Sequence, residues 1–365
     1  MKISTAGASH GKKLIGILEG MPSNVPIDNR IIEENLARRR LVYGRSERQK
    51  GEKDFFNIIS GITCGRTNGS PIGIEIPNSV RDVAIDRPTI PRPGHADLAG
   101  LVKYKLDDTR DVIERASARE TAVSVALESI ARQILIPLGI GVFSFSNRIG
   151  EVSSKDYYST KINKDFVYTS PVRAIDKATE EKMIREIDEA KKRGDSLGGE
   201  VQTIVSGLAI GLGDFTVGRE KLDSKLAGRL FSIQSVKGVS IGRNLFKDNI
   251  YGQNYQDSPY YNGKISHRTN NVGGIEGGMT NGEDIVIDVA LKPIPTMTSP
   301  LDSFDIKSKE NSKAIYERSD VCQVPSATTI IENATAFVIA NEVLKKFSGD
   351  SLEEIIFHFE NWRSI

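Results

Sequence analysis

The chain has 365 residues, 38% of them hydrophobic and 27% charged, with a formal net charge of +1. Such a chain suits a soluble globular protein with a sizeable core, and its charge balance argues against nucleic acid or an anionic membrane surface as a partner. Two cysteines, Cys64 and Cys322, are too few for a disulfide framework or a zinc site, and no apolar run reaches the roughly 18 residues of a membrane span.

Met1-Lys2-Ile3-Ser4 leads into a polar turn where a signal peptide would be apolar, so a cytoplasmic location is expected. Ile3 begins a short strand entering the turn Gly7-Ala8-Ser9-His10-Gly11, which should leave Ser9 and His10 exposed. Leu14, Ile15 and Ile17 mark a second strand. Asp28 can cap a helix that carries Ile31, Ile32 and Leu36 on one face and ends in Arg38-Arg39-Arg40. The basic stretch 43–51 lacks apolar periodicity, as expected of an exposed loop or one folded over a ligand. Strand-like segments return at 55–59 and 72–76.

In Arg92-Pro93-Gly94-His95-Ala96-Asp97, turn residues present Arg92 and His95 from a constrained loop. Ser117 and Glu120 have the spacing of a capping box. Behind them Ala118, Ala122, Val125, Ala126, Ile130 and Ile134 recur at helical spacing until Pro137 and Gly139. The small side chains predict a helix deep in the core, with N-terminal amides, flanked by Arg115 and Arg119, open to an anion.

Residues 140–145 read as a buried strand and 157–172 as a loop. Thr179 is expected to cap a helix through Met183, Ile184 and Ile187 to Gly194. Val201, Thr203 and Val205 alternate like a strand, and Leu222, Leu226, Leu230 and Ile233 mark another helix. The stretch 252–282 is long for a connection, hence functional or disordered. A strand from Val286 to Lys292 stops at Pro293, 331–346 reads as a helix, and Ser351 with Glu354 boxes a short last one. No repeat or linker divides the chain, so a single α+β domain over residues 1–365 is expected.

Four histidines are present, and two, His10 and His95, sit in glycine-flanked turns where a side chain can face a ligand and supply protons near neutral pH. Arg39, Arg45 and Arg48 cluster in sequence, with Arg92, Arg119 and Arg318 available from elsewhere; this pattern suits a phosphate and carboxylate clamp. RNA binding would need interleaved aromatic residues, and only Tyr43 qualifies. No set of His, Cys and carboxylates has metal-ligand spacing, so no metal is expected. The glycine-rich run 273–282 would let backbone approach a ligand closely, but it precedes a strand and is no dinucleotide fingerprint. Lys292-Pro293-Ile294-Pro295-Thr296 adds a cation, two rigid turns and a hydroxyl. Asp320, among basic partners, can be a base or a salt-bridge partner.

Taken in order, the turn 7–11, the arginine loop 38–48, RPGHADL at 92–98, ERASARET at 114–121, GGIEGGMTNG at 273–282, KPIPT at 292–296 and RSD at 318–320 resemble the chorismate synthase family nearly end to end. The resemblance implies a β-α-β sandwich with central helices between antiparallel sheets, assembled as a homotetramer. It also implies a lyase that converts 5-enolpyruvylshikimate 3-phosphate to chorismate and phosphate by 1,4-elimination, the last step of the shikimate pathway to aromatic amino acids. Reduced FMN is required without net redox; NADPH or a separate flavin reductase would serve only as a source of reducing equivalents.

By motif matching, His10 resembles the proton donor to the leaving phosphate, His95 the residue that protonates the reduced flavin, and Asp320 the aspartate that takes a proton from it. Ser9, Arg39, Arg45, Arg48, Arg92, Arg119 and Arg318 match substrate-binding positions. Arg115, Ala116, Ser117, Gln234, Ser235, Gly277, Lys292, Pro293, Ile294, Pro295, Thr296 and Arg318 match flavin-binding ones. The chief departure is Ala8, where the family commonly has Glu. Two other classes stay open: a flavin-dependent oxidoreductase and a non-catalytic phosphometabolite-binding protein. Retention of both histidines and Asp320 argues against the second.

Overall fold

The computed structural model describes residues 1–45, 54–78, 86–243, 251–317 and 320–363. Its first sheet is antiparallel, in the order β1-β2-β6-β3, built from β1 (Lys2–Ala6), β2 (Lys13–Glu19), β3 (Asn57–Ile58) and β6 (Ile72–Pro77). A small hairpin of β4 (Ile62–Thr63) and β5 (Arg66–Thr67) sits between β3 and β6 in the chain. Period-two alternation turns Leu14, Leu18, Ile72, Ile74 and Ile76 inward. Of the strand expected at 55–59, Asn57 and Ile58 form β3, and Ile59 N still donates to Gly73 O of β6 at 2.8 Å.

Helix α1 (Asn29–Arg40) starts at Asp28, whose carboxylate accepts from Arg30 N, and ends in the three expected arginines. Two helices missed in the sequence, α2 (Asp97–Tyr104) and α3 (Arg110–Ala116), lead to the alanine-rich segment. There Ser117 caps only a 3-10 turn over Ala118–Glu120, and the α-helix proper, α4 (Thr121–Ala131), follows it. All 11 residues of α4 are buried. It lies so close to the first sheet that a Cβ on Gly16 would come within 2.7 Å of Val123 and Leu127. Truncating Leu127 to Ala would cost about 2–5 kcal/mol by the usual cavity penalty.

The second sheet, also antiparallel, runs β10-β15-β9-β7-β8, from β7 (Gly141–Ile149), β8 (Val152–Ser153), β9 (Gly199–Ser206), β10 (Val236–Ile241) and β15 (Ile285–Leu291). Its outer face is covered partly by a segment expected to be loop: Asn163 caps α5 (Lys164–Thr169), whose Val167 packs with Phe143, Phe145 and Ile204. Next come α6 (Lys177–Arg193) and α7 (Leu222–Phe231). The cap of α6 is Asp176, not Thr179; Thr179 N donates to Asp176 Oδ1 at 2.8 Å, which places the cap three residues earlier. The stretch 252–282 holds α8 (Gly252–Tyr255) and two hairpins, β11 (Pro259–Tyr261) with β12 (Ile265–His267) and β13 (Ile275–Glu276) with β14 (Met279–Thr280). A third hairpin pairs β16 (Asp302–Phe304) with β17 (Asn311–Lys313).

Helix α9 (Val324–Lys346) starts seven residues before the expected 331, with Pro325 in its first turn where a missing N–H is harmless. It is buried on nearly every side, 18 of 23 residues, so no amphipathic stripe marks its beginning. It packs on α1, α4 and α7 on one side and on β7 and β9 on the other. Sheet, helices and sheet thus form the β-α-β sandwich, an α+β fold. In α10 (Leu352–Arg363) the expected box is present: Glu354 Oε2 accepts from Ser351 N at 3.0 Å and Ser351 Oγ from Glu354 N at 3.4 Å. No helix among the described residues is long and apolar enough to cross a membrane. Both cysteines are free, and burial pushes the Cys322 thiol up to about 12, which keeps it unreactive.

Candidate active site

The turn carrying Ser9 and His10 is not left exposed; it folds against the last turn of α3. Glu114 Oε2 accepts from Ser9 Oγ at 2.7 Å and from His10 N at 2.6 Å, and Glu114 Oε1 lies 2.7 Å from His10 Nδ1. The His10 side chain is only 23% exposed. Burial alone would raise the Glu114 carboxyl, but bonds from His10 and Ser9 outweigh it and hold it down at about 2. An ionised carboxylate only accepts, so the His10 ring carries a proton on Nδ1.

A second histidine–carboxylate pair stands at the start of α2, which packs on α3 so tightly that a Cβ on Gly100 would meet Val112 at 2.7 Å. His95 Nδ1 bonds Asp97 Oδ1. Arg92 donates to Asp97 through Nε at 2.8 Å, through Nη2 at 3.1 Å and through its backbone N at 3.1 Å, and reaches Thr296 Oγ1 at 3.2 Å. Although burial opposes it, these donors hold Asp97 well below the usual carboxylate range. Gly94, at φ 74°, makes the turn that sets His95 beside Arg92 and lets the Gly94 carbonyl accept from Lys292 Nζ. Burial lowers the pKa of Lys292, with Lys237 adding to the shift.

The 292–296 segment is itself pinned. Ile294 O accepts from Ser196 Oγ at 2.6 Å, Lys292 O from Gln323 Nε2 at 3.2 Å, and Lys292 N donates to Ser235 O at 3.0 Å. Lys292, Thr296 and Ser235 are therefore brought together with Arg92 and His95, with Pro293, Ile294 and Pro295 as the rigid link.

The arginines divide into two groups. Asp54, its side chain 2% exposed, bridges Arg39 and Arg119: its Oδ2 accepts from Arg39 Nη2 at 2.8 Å and its Oδ1 from Arg119 Nη1. Burial opposes ionisation of Asp54, and the two guanidiniums overcome it, holding the carboxyl low. Arg119 also reaches Asn78 Oδ1 at 2.9 Å, and Arg39 reaches Thr121 Oγ1 at 3.3 Å, which fixes both at the start of α4. Arg45 donates to Asp320 Oδ2 at 2.6 Å, to Ser326 Oγ at 2.9 Å and to Arg39 O at 3.0 Å. Its side chain is 4% exposed and that of Asp320 7%, so this is a buried ion pair at the head of α9. Arg48 and Arg318 lie outside the described residues.

Arg115 and Gln234 line a cavity of about 280 Å³ with Glu120, Thr121, Ser124 and Arg229. Arg115 Nη2 donates to Thr5 Oγ1 at 3.0 Å, and Thr5 Oγ1 donates to Glu120 Oε1 at 2.9 Å. Ile233 and Ile330 give the cavity an apolar side. A wall of hydroxyl, amide and guanidinium donors opposite an apolar side fits a planar heterocycle with polar edges. Behind Arg229, Glu128 is fully buried; burial raises its carboxyl to about 7 despite that guanidinium. Ala116 ends α3 and Ser117 caps the next turn, so both flank the cavity's Arg115. Gly277 is placed differently. Its hairpin packs at the first residue of α7, where Leu222 N donates to Gly278 O at 2.9 Å, whereas Gln234 follows the last. The helix between them spans about 15 Å.

Three carboxylates that organise the site were not singled out in the sequence, Glu114, Asp97 and Asp54; a fourth, Glu332, joins Arg38 to Arg132 away from it. Glu114 and Asp97 lie inside motifs already marked, so proximity to the histidine and arginine motifs was their signal. Asp54 had none.

A family model described as chorismate synthase matches residues 1–344. The chorismate synthase of Alkaliphilus metalliredigens is 44% identical, with 100% of both chains covered. That of Caldanaerobacter subterraneus subsp. tengcongensis is also 44% identical, covering 99% of this chain and 98% of its own. A solved structure of chorismate synthase superposes with a TM-score of 0.82 at 32% identity, covering 100% of this chain and 97% of that one.

Proposed function

We propose that this chain, which belongs to the chorismate synthase family, catalyses the 1,4-elimination of phosphate from 5-enolpyruvylshikimate 3-phosphate to give chorismate. In that reaction a ring C–H bond and the C–O bond to phosphate break, a new double bond forms, and a proton and phosphate leave, with no net oxidation. The observation that carries it is the pair of histidines, each locked by its own ionised carboxylate (Glu114 on His10 at 2.7 Å, Asp97 on His95), with Arg110 Nη1 3.6 Å from Glu114 and Arg92 against His95. An elimination of phosphate needs a proton at the leaving oxygen and cations around an anionic substrate.

Within this reading, Glu114 holds the Nδ1 proton of His10 in place, so that a second ring proton, on Nε2 of the imidazolium form, goes to the leaving phosphate oxygen. Asp97 and Arg92 fix His95 at a turn shared with Lys292 and Thr296, where its ring can hold a proton next to the cofactor. Arg39, Arg119 and Arg45, with Arg48 and Arg318, gather the substrate's carboxylates and phosphate. Asp320 accepts a proton at its carboxylate, which Arg45 holds in place. Ser9, held by Glu114, sits beside His10 to orient substrate.

Arg115 and Gln234, with the donors around them, would hold reduced FMN, which would supply transient electron donation without net redox. Ala116, Ser117, Ser235 and the 292–296 segment complete that site; Gly277 lies at the other end of α7. The chain acts as one catalytic domain in a cytoplasmic homotetramer, with NADPH or a separate flavin reductase only replenishing reduced flavin.

The test is an anaerobic assay with chemically reduced FMN, with and without NADPH. Chorismate and phosphate should form in equal amounts with the flavin returned reduced. Oxidised FMN accumulating one for one with product would support a flavin-dependent oxidoreductase, and no turnover with intact ligand binding would support a non-catalytic binding protein.

A further inference from the structure

The three arginines that end α1 do not share one task. Arg39 faces Asp54, but Arg38 turns to the opposite side, where a cavity of about 720 Å³ opens between α1, the turn before β7, β7 itself and α5. That volume lies within the roughly 300–1,000 Å³ usual for small-molecule sites. Its apolar walls include Ile31, Leu135 and Phe143, and its cations are Arg38, Arg132 and Lys164.

Charge inside this region is unbalanced. Fully buried Glu332 accepts from Arg38 Nη1 and Nη2 at 3.0 Å each, from Arg132 Nη1 at 2.7 Å and from Ser144 N at 3.0 Å, so its acceptor capacity is spent. Arg173, 4% exposed, adds a third guanidinium whose bonds run to the carbonyls of Tyr168, Ser170 and Arg38. Glu34, one turn before Arg38, is the other carboxylate on the cavity. Arg38, Arg132 and Arg173 thus face Glu332 and Glu34, an excess of one positive charge, while Lys164 at the mouth acts electrostatically on Asp284. The Nε atoms of Arg38 and Arg173 are buried without a hydrogen-bond partner.

Uncompensated cations in partly dry surroundings are costly, and a bound anion relieves that cost. The aromatic rings already serve the cations: Arg38 lies 4.1 Å from the centre of the Tyr168 ring, and Lys164 Nζ 5.4 Å from that of Phe143. Lys164 is exposed at the mouth, free to swing onto a ligand.

We propose that this cavity is a second ligand site, apart from the histidine clusters, for a small carboxylate with an aromatic or apolar body. The carboxylate lies between Lys164 and the Arg38–Arg132 pair, and the body against Ile31, Leu135 and Phe143. Because Arg39, next to Arg38, also takes a bond from Arg45 on its carbonyl at 3.0 Å, the site adjoins the turn that holds the substrate arginines.

The experiment is isothermal titration of the full chain with 3-phenylpropanoate and with 3-phenylpropanamide, the same shape without the charge. The acid should bind saturably and at least about tenfold more tightly than the amide, as a charge-assisted contact requires. Lys164→Glu, at an exposed position that keeps the fold, should weaken the acid about tenfold or more, since attraction becomes repulsion. Lys292→Gln, in the His95 cluster, should leave it unchanged. The proposal fails if acid and amide bind alike, if no saturable binding occurs, if Lys164→Glu behaves as wild type, or if the effect falls on Lys292→Gln, which would put the probe in the substrate site. It also fails if Ile136→Glu, at the rim, splits an oligomer without moving probe affinity, because the groove is then an interface between copies of this chain.

Discussion

Glu114 grips His10 twice, accepting from its backbone N at 2.6 Å and facing its ring Nδ1 at 2.7 Å. Main chain and imidazole are therefore oriented by one carboxylate on α3, although Ala8 in the same turn has no carboxylate to offer.

Glu114→Gln is nearly isosteric but replaces an acceptor by a group that can also donate, so the Nδ1 proton is no longer enforced. Turnover should fall about 10²-fold or more, the usual contribution of a positioned acid, with reduced-FMN affinity retained. The ¹⁵N shifts of His10 should change from one fixed tautomer to a mixture. Unaltered shifts would make Glu114 a packing residue. The carboxyl is depressed from 4.5 to about 2, so its pairing supports the fold above pH 4.5 and is lost as pH falls toward 2.

Asp97→Asn should act more broadly. Asp97 is completely buried and holds both Arg92 and His95, so the amide leaves a buried guanidinium without its counter-ion. Urea unfolding should show a loss of about 3 kcal/mol or more, and the Arg92–His95 turn should become more open to hydrogen exchange. Wild-type stability would deny Asp97 its bridging role. Because its carboxyl is held low, the contribution is full above pH 3.8 and disappears only in strong acid.

The Arg45–Asp320 pair complicates any test of Asp320 as a base. Asp320→Asn leaves Arg45 buried with less charge compensation, and a cost of about 3–5 kcal/mol is expected from that alone. A double-mutant cycle with Arg45→Gln separates the effects: stability should be partly restored in the double variant, with a coupling of about 0.5–3 kcal/mol. Single-turnover chorismate formation should collapse in Asp320→Asn and stay collapsed in the double variant. Near-normal turnover in folded Asp320→Asn would leave Asp320 as a salt-bridge partner of Arg45.

Glu332→Gln tests the buried cluster without touching the histidines. It removes the carboxylate between Arg38 and Arg132, and urea unfolding should report a loss of about 3–5 kcal/mol. Burial opposes ionisation of Glu332, yet the two arginines hold its carboxyl at about 2, down from 4.5. Wild type should therefore lose this stability as pH falls from 4.5 toward 2, while the variant, having no carboxyl there, should show a flatter profile. Parallel profiles would mean that the cluster adds nothing.

Elements with one wet face could be read from sequence alone: α1 from Asp28 to its arginines, α7 from its leucines, α10 from its box. Each stamps a local period or cap on a few neighbouring residues. The start of α9 could not, because a helix buried all round has no stripe, and the layer order of the sandwich came from family resemblance, not from periodicity. The site divides in the same way. Histidines and arginines stood out as residue types in turns, and His10 was expected to face solvent. What turned it inward is Glu114, 104 positions away, and what occupies Arg45 is Asp320, 275 positions away. Such pairs form only where packed helices and sheets carry distant segments to within a few ångströms, and burial then makes each charge depend on its partner. The sequence by itself determined which groups could do the chemistry; the tertiary structure decided which carboxylate holds each one, and therefore where its proton sits.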